Sequence, residues 1–359
     1  MERNVRRLRR RLDQLGAPLR PHLKTAKSIE VARRVVGPAG GPITVSTLRE
    51  AEYFAAYGIT DILYAVGIAP SKLGRVMALR AQGIDLTVVV DSKEAAASVA
   101  AASRAAPGPI PTLIEIDTDG HRAGVPPASA ALIEVGRVLH RGGADVRGVI
   151  AHAGTSYHAR GPEALRDAAE RERAAAVASA AVLAEAGLPC TVVSVGSTPT
   201  AHFARDLTGV TEVRAGNFVF FDLFMAGLGV CALHDIALSV SATVVGHQGN
   251  GRQIIIDAGW TAVSRDRATA RQPVDWGYGM VCDVDGVPYE DVIVAEVSQE
   301  HGILAARPGS SADVPRLGVR SLVRILPNHA CAMAAQHGSY QVVRNSRIVH
   351  EVWHRISGW

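Results

Sequence analysis

The sequence is poor in the features that mark several classes of protein. Aromatic residues make up 5% of its 359 residues, which leaves few rings to stack on nucleic-acid bases. No apolar run reaches the length of a membrane-spanning helix, and the basic N-terminal segment lacks the apolar core of a signal peptide. These absences argue against a nucleic-acid partner and against a membrane partner.

Cysteine is also scarce. The four cysteines are scattered through the chain, at Cys190, Cys231, Cys282 and Cys331. Four thiols spaced so widely in a chain of this size do not make the framework of a disulfide-rich domain. We therefore expect a reducing, cytoplasmic location.

Charge of one sign is concentrated only near the N-terminus. The formal net charge is +4, and six arginines lie between residues 3 and 11. Val5, Leu8, Leu12 and Leu15 recur there at helical spacing, so the arginines form the polar face of one amphipathic helix. This pattern indicates a surface helix and not a nucleic-acid-binding patch.

Short β-rich runs alternate with helical stretches between residues 19 and 235. Eight runs predict strands, over 19–24, 42–46, 61–66, 85–91, 111–117, 147–152, 191–195 and 211–214. A doubly wound open sheet would use the same units, but their number favours an α/β fold of the (β/α)8 TIM type, with site residues at the carboxyl ends of the strands.

The pattern changes after residue 236, where long helical periodicity disappears. Runs over 237–246, 253–257, 291–297, 319–326 and 340–352 predict an all-β domain, and Asn250-Gly251 predicts a hairpin turn. The predicted domains are therefore an N-terminal helix over 1–18 that packs on the second domain, a barrel over 19–235 and a β-domain over 236–359.

Ionisable side chains follow several predicted barrel strands. Lys24 ends the first strand, where a lysine is placed for Schiff-base chemistry, although an ordinary solvated lysine would occupy the same position. Arg122 follows the fifth strand, and His152 and Tyr157 follow the sixth. Because carboxyl ends of barrel strands meet at one face, we expect these side chains to line a common mouth.

Glycine and hydroxyl residues follow the last two barrel strands. Ser197 and Thr198 come after the seventh strand, and Gly216 and Asn217 after the eighth. Such residues form anion sites through free backbone N–H groups, and barrels often bind phosphate at these two loops, although the same residues also form ordinary turns. Together with Lys24, they indicate a phosphorylated aldehyde cofactor.

His329 and Cys331 lie two residues apart after the predicted strand over 321–326. If that strand continues to Cys331, the imidazole and the thiol point the same way, about 7 Å apart. Zn²⁺ accepts this ligand pair and would keep positions open for water or substrate. The alternative is a histidine with protein partners and a buried cysteine.

Several motifs resemble one known family. The Arg-Pro-His-Leu-Lys-Thr motif at 20–25 resembles the pyridoxal-phosphate lysine motif of the D-serine dehydratase and D-threonine aldolase family, which has the alanine-racemase-like fold. Segments 119–125, 196–200, 214–222, 256–259 and 298–302 are similar to further family motifs. The resemblance covers about residues 15 to 350.

The resemblance implies roles for the residues named above. Lys24 would carry pyridoxal phosphate, and His329 and Cys331 would bind Zn²⁺ or another divalent metal beside the substrate. The other implied cofactor-binding residues are Arg122 and Tyr157 beside the ring, His152, and Ser197, Thr198, Gly216 and Asn217 at the phosphate. A homodimer is also implied.

The His-x-Cys pair favours the dehydratase branch, because the aldolases of the family carry His-x-Asp. The expected activity is a zinc-dependent loss of water from a D-serine-like β-hydroxy-D-amino acid, giving a keto acid and ammonia. A D-threonine-type aldolase, a racemase and a non-catalytic pyridoxal-phosphate-binding protein are the alternatives. Ala26 replaces a family histidine, which predicts altered proton handling or substrate choice.

Overall fold

The structure, a computed structural model, describes residues 1–106, 108–249, 253–344 and 347–359. These residues divide into two compact units. The barrel unit comprises Val5–Gly216 and Gly358–Trp359, and the β-unit comprises Met1–Asn4 and Asn217–Ser357. No helix of the described ranges is long and apolar enough to cross a membrane. The domain limits predicted after residues 18 and 235 stay predictions.

The barrel unit is built on eight parallel strands. They are β1 (Leu19–Pro21), β2 (Ile43–Val45), β3 (Asp61–Gly67), β4 (Asp85–Val90), β5 (Pro111–Ile116), β6 (Asp145–Ala151), β7 (Val192–Val195) and β8 (Glu212–Ala215). They pair in the order β1-β8-β7-β6-β5-β4-β3-β2. A parallel bridge between His22 and Thr44, with a 2.9 Å hydrogen bond from the Leu23 amide to the Thr44 carbonyl, joins the end strands. The predicted TIM-type fold is confirmed.

Helices alternate with these strands. They are α1 (Glu2–Gln14), α2 (Ile29–Val36), α3 (Leu48–Ala56), α4 (Leu73–Ala81), α5 (Lys93–Ala105), α6 (Ala130–Arg141), α7 (Gly161–Glu185) and α8 (Thr198–Phe203). Hydroxyls of Thr47, Ser92 and Ser129 accept backbone N–H groups at the starts of α3, α5 and α6, which fixes where these helices begin. Leu8 and Leu12 are buried, which confirms the predicted amphipathic helix.

The β-unit contains six antiparallel strands that close into a second barrel. They are β9 (Val240–Gln248), β10 (Gln253–Ile256), β11 (Met280–Cys282), β12 (Pro288–Val297), β13 (Gly302–Ala306) and β14 (Leu322–Leu326). Their order is β10-β13-β12-β11-β14-β9, and β9 pairs with β10. Alternate residues Val240, Ala242 and Val244 of β9 are buried in its core, as one-sided strands require. The predicted all-β domain is confirmed.

The remaining elements of the β-unit are short. They are α9 (Leu223–Gly227), α10 (Trp260–Val263), α11 (Ala330–Ala334), β15 (Ser339–Val343) and β16 (Val349–His354). The single run predicted over 340–352 is wrong, because β15 and β16 are two strands that pair antiparallel. The turn predicted at Asn250-Gly251 lies outside the described residues, and the flanking β9 and β10 do pair antiparallel.

Candidate cofactor and metal sites

Lys24 lies three residues after β1, and its side chain is exposed. The chain has four lysines. The other three ammonium groups have partners, which are Glu50 for Lys27 (3.1 Å), Glu134 for Lys93 (3.0 Å) and the Trp359 ring for Lys72 (4.1 Å to the centroid). In the described parts of the chain, the Lys24 ammonium has no such carboxylate or ring partner. Lys24 is therefore the lysine best placed to react.

Positive charge surrounds a neutral imidazole next to Lys24. Burial lowers the pKa of His22 well below its usual range, and the charges of Lys24 and Arg214 lower it further. His22 Nε2 lies 3.4 Å from the Ser46 hydroxyl. Arg214 is buried and donates to the Ser194 hydroxyl at 2.6 Å. This end of the barrel therefore carries cationic groups that suit an anionic ligand.

His152 is a second neutral imidazole near Lys24. Burial lowers the pKa of His152 to about 3, and the charge of Lys24 contributes in the same direction. Its Nδ1 donates to the Gly196 carbonyl oxygen at 3.2 Å, which fixes the ring orientation. The Tyr157 ring lies beside it, with centroids 6.0 Å apart. The two rings are tilted by 47° to each other, so each offers its own aromatic face to a neighbouring ligand.

Hydroxyl groups gather where α8 begins. Ser197 accepts a hydrogen bond from the Thr200 amide at 3.2 Å, and Thr200 accepts one from the Ser197 amide at 2.9 Å. The Ser156 hydroxyl, from the loop after β6, lies 3.2 Å from the Ser197 hydroxyl. Thr198 is the first residue of α8 and is buried. The hydroxyls gather in the loop where the sequence predicts an anion site, and that site stays a prediction.

Two glycines allow the ends of the barrel strands to approach closely. A Cβ atom on Gly196 would lie 2.3 Å from the Arg214 carbonyl oxygen, and one on Gly216 would lie 2.7 Å from the His22 carbonyl oxygen. Gly196 also has a φ of 128°, which side-chain-bearing residues rarely adopt. Glycine is therefore required at both positions of the predicted phosphate loops.

Arg122 lies close enough to His152 for its charge to lower the pKa of that imidazole. Its side chain is 57% exposed and donates to the Glu115 carboxylate at 3.3 Å. In the same loop, the Asp119 carboxylate accepts hydrogen bonds from the Thr155 amide (2.7 Å) and hydroxyl (2.8 Å). The loop that carries Arg122 is thus tied to the loop that carries Tyr157.

Glu172 is a buried carboxylate that sequence reasoning missed. Its Oε1 accepts hydrogen bonds from the Ala153 amide at 2.8 Å and the Gly196 amide at 3.0 Å. Burial raises its pKa, and these hydrogen bonds act in the opposite direction. Glu172 lies within α7, where nothing in the sequence distinguishes it from the neighbouring glutamates. It positions the loops that hold His152 and Ser197.

The metal pair lies in the β-unit, and its local structure differs from the prediction. β14 ends at Leu326, and His329 immediately precedes the one-turn helix α11. The strand therefore does not continue to Cys331, and the condition for an imidazole and a thiol about 7 Å apart on one strand face is not met. Pro327 explains the difference, because proline has no N–H to extend the ladder of hydrogen bonds.

The side chains of His329 and Cys331 nevertheless interact. Burial alone would lower the pKa of His329, but hydrogen bonds to Asp266 and Cys331 outweigh it and raise that pKa to about 11. The His329 Nδ1 lies 2.8 Å from Asp266 Oδ2. A metal ion bound here would therefore displace a proton from this pair.

Asp222 holds the segment that carries both predicted ligands. Its carboxylate is buried and accepts hydrogen bonds from the Ala330 amide at 2.8 Å and from Asn217 Nδ2 at 2.6 Å. The Leu223 amide donates to the Pro327 carbonyl at 3.0 Å. The motif at 214–222 thus ends in a residue that positions the His329–Cys331 segment.

The predicted site residues therefore fall into two groups. Lys24, Arg122, His152, Tyr157, Ser197, Thr198 and Gly216 lie in the barrel unit, whereas Asn217, His329 and Cys331 lie in the β-unit. Their roles stay predictions. Among the described residues, no group of three or more His, Cys, Asp or Glu side chains could hold a metal ion, so His329 and Cys331 would leave coordination positions for other ligands.

Two family models match the chain. Residues 1–223 match "Alanine racemase, N-terminal domain", and residues 237–343 match the serine dehydratase domain. The D-threo-3-hydroxyaspartate dehydratase of Delftia sp. (strain HT23) is 52% identical, over 100% of this chain and 95% of the relative. Its solved structure has a TM-score of 0.96 at 51% identity, and the match covers 100% of this chain and 95% of the solved chain.

More distant relatives have related activities. The D-serine dehydratase of Dictyostelium discoideum is 30% identical, over 95% of this chain and 90% of the relative. The D-threonine aldolase of Arthrobacter sp. is 28% identical, over 98% of this chain and 88% of the relative.

Two further solved structures, each with a TM-score of 0.96, are variants of a D-threo-3-hydroxyaspartate dehydratase. One has alanine in place of a histidine, and the other has alanine in place of a cysteine two positions later and is in the metal-free form. This chain belongs to the fold-type III family that joins an alanine racemase N-terminal domain to a serine dehydratase domain.

Proposed function

We propose that this protein is a pyridoxal-phosphate- and divalent-metal-dependent dehydratase of β-hydroxy-D-amino acids, releasing a keto acid and ammonia. One observation carries the proposal, which is that a single chain combines two features. The first is Lys24, a lysine without a carboxylate partner among the described residues, and the second is the His-x-Cys pair of His329 and Cys331. The 52% identity to a D-threo-3-hydroxyaspartate dehydratase supports the same activity.

The residues of the barrel unit fit pyridoxal phosphate. Gly196 and Gly216 lie where a Cβ would collide with neighbouring backbone, and the hydroxyl of Ser197 lies beside Gly196. Lys24 and the uncharged ring of His152 would meet the aldehyde and the pyridine ring. Ser197, Thr198 and Gly216 would hold the phosphate, with Arg122 and Tyr157 flanking the ring.

The residues of the β-unit fit a divalent metal. Imidazole and thiolate are ligands that Zn²⁺ prefers, and the hydrogen bond of His329 Nδ1 to Asp266 leaves Nε2 for a metal. When bound, pyridoxal phosphate supplies an electron sink at Cα and the metal supplies a Lewis acid for the β-hydroxyl, which is otherwise a poor leaving group.

Lys24 has two tasks in the reaction. It would bind the cofactor, and with substrate bound its Nζ would accept the Cα proton from one face, which would select the D-enantiomer. The Cβ–O bond breaks, and the hydroxyl leaves as water with a proton equivalent to the one that Lys24 takes from Cα. Hydrolysis of the resulting enamine releases ammonia and the keto acid, so all atoms of substrate and water are accounted for.

Cys331 supports elimination over retro-aldol cleavage, because the family's aldolases carry aspartate at this position. In retro-aldol cleavage the same site would remove the proton of the hydroxyl and break the Cα–Cβ bond, giving glycine and an aldehyde. The Arthrobacter relative shows that this reaction occurs in a protein 28% identical to this chain. The products therefore distinguish the two candidates.

The direct test is to follow keto acid and aldehyde together. The zinc-supplemented, cofactor-loaded protein is incubated with D-threo-3-hydroxyaspartate, D-serine and D-threonine, with and without a chelator. We expect keto acid, fastest with D-threo-3-hydroxyaspartate, and loss of activity on chelation. Aldehyde and glycine would establish the aldolase, and no product would support a non-catalytic cofactor-binding protein.

A cytoplasmic location and a homodimer are further proposals. The four cysteines, all of them described residues, form no disulfide bonds with one another, which supports a reducing compartment. The hairpin of β15 and β16 exposes Val343, Val349 and Val352, and such apolar side chains favour burial in an interface between subunits.

A further inference from the structure

Asp266 is the closest carboxylate to the predicted metal ligand His329. The two residues are 63 positions apart in the chain, yet Asp266 Oδ2 lies 2.8 Å from His329 Nδ1. Both side chains are partly exposed. Nothing in the sequence places Asp266 beside the metal pair, and it belongs to none of the motifs that indicate the family.

The Asp266 carboxylate is held in position by its own loop. Its Oδ1 accepts a hydrogen bond from the Ala268 amide at 2.7 Å, and its amide donates to the Ser264 hydroxyl at 3.0 Å. Ser264 has a φ of 71°, a conformation that a residue with a side chain keeps only when its surroundings impose it. The direction of the carboxylate is therefore fixed before any metal binds.

Asn328 ties the Asp266 loop to the segment of the ligands. It is buried, and its Nδ2 donates to the Asp266 carbonyl at 3.2 Å and to the Gly277 carbonyl at 2.6 Å. Its Oδ1 accepts from the Thr269 amide at 3.2 Å. The residue directly before His329 thus fixes the distance between the imidazole and the loop that carries Asp266.

We propose that Asp266 is a positioning residue for the metal centre, which holds the proton of His329 on Nδ1 and makes Nε2 the metal-binding atom. The inference rests on the proposed function, because it requires His329 to bind a metal. A carboxylate on the far nitrogen fixes the tautomer and orientation of a ligating histidine and increases its basicity. The site has two predicted protein ligands, so an imidazole that points away from the metal would leave the metal with one of them.

The test measures metal affinity without any substrate. Dissociation constants for Zn²⁺ are determined by competition with a chromophoric chelator for the wild type, Asp266→Asn, Asp266→Ala and Asp283→Asn. Asp283 is the matched control, because its carboxylate also accepts backbone N–H groups of its own turn (Asp285 and Val287, both 2.9 Å).

We expect Asp266→Ala to weaken zinc binding about 10- to 100-fold. Asp266→Asn keeps an acceptor oxygen but loses the charge, so we expect a loss of about tenfold. Asp283→Asn should bind zinc as the wild type does. The absorption spectrum of bound Co²⁺, which depends on ligand geometry, should change in the two Asp266 variants only.

Zinc affinities of both Asp266 variants within about twofold of the wild type would overturn the inference. If Asp266→Ala does not fold, as thermal unfolding will show, the near-isosteric Asp266→Asn decides alone. A different result would contradict the proposed function, namely a wild-type protein that binds zinc but releases no keto acid.

Discussion

The ammonium of Lys27 lies 3.1 Å from the carboxylate of Glu50. Glu50 is fully buried, and Lys27 has a φ of 48°, in the left-handed region that residues other than glycine rarely occupy. Lys27 follows Lys24 by three residues. The ion pair therefore holds the loop that presents Lys24, and it stabilises an unusual backbone conformation there.

Removing one partner of this pair should destabilise the fold. In Lys27→Met the buried Glu50 loses its counter-charge, and we expect the free energy of unfolding to fall by about 3–5 kcal/mol. The measurement is urea unfolding of Lys27→Met, Glu50→Gln and the double variant. If the double variant shows the sum of the two single losses, the two side chains do not interact and the interpretation is wrong.

Most strands of the barrel unit could be predicted because they are short runs of mainly buried residues that alternate with helical stretches. β11 was not predicted: β1 and β2 are equally short, but they belong to a regular alternation of strands and helices, whereas no such alternation surrounds β11. The strand predicted to end at Leu326 does end there, and it does not continue to Cys331 because Pro327 ends the ladder, so the same-face arrangement that such a continuation would give His329 and Cys331 does not occur.

The supporting carboxylates were beyond prediction for a different reason. Glu172 contacts residues 19 and 24 positions away, and Asp266 contacts a residue 63 positions away. Tertiary packing alone decides these contacts. Motifs therefore propose residues that react or bind, and the structure is needed to find the residues that position them.

Lys24 should be the site of covalent cofactor attachment. Reduction of the loaded protein with borohydride, followed by digestion and mass spectrometry, should find the cofactor on the peptide that contains Lys24. Lys24→Ala should give no labelled peptide. The control is Lys93→Ala, which removes a lysine from an exposed ion pair with Glu134, and this variant should carry the label on the Lys24 peptide as the wild type does. Label on another lysine in the wild type would exclude Lys24 from its assigned role.

Glu172 should support both stability and cofactor binding. Glu172→Ala leaves the buried amides of Ala153 and Gly196 without an acceptor, at a cost on the order of 2–4 kcal/mol in the free energy of unfolding. We expect cofactor affinity to fall as well. Glu170, in the same helix, pairs with Arg173 at the surface, so Glu170→Ala should change stability by less than about 1 kcal/mol. Equal effects of the two substitutions would contradict the role of Glu172.

The neutral His152 predicts a loss of stability in acid. Burial lowers its pKa from 6.5 to about 3, so between these values the unfolded chain binds a proton that the folded chain does not. Stability therefore rises with pH through this window and is lost as the pH falls from 6.5 towards 3. His152→Asn should show a shallower acid-side loss in urea unfolding, whereas His354→Asn, an exposed control, should not. Identical pH slopes for all three proteins would show that His152 is not held neutral.

The most direct test of the central claim is the rate of keto acid release from D-threo-3-hydroxyaspartate by the wild type and Cys331→Ala. Without the thiolate the site loses one of two protein ligands, and we expect the rate to fall on the order of a hundredfold or more. The visible absorbance of the bound cofactor should stay unchanged, because Lys24 and the barrel unit are intact. A Cys331→Ala protein that releases keto acid at the wild-type rate without metal would contradict metal-dependent elimination.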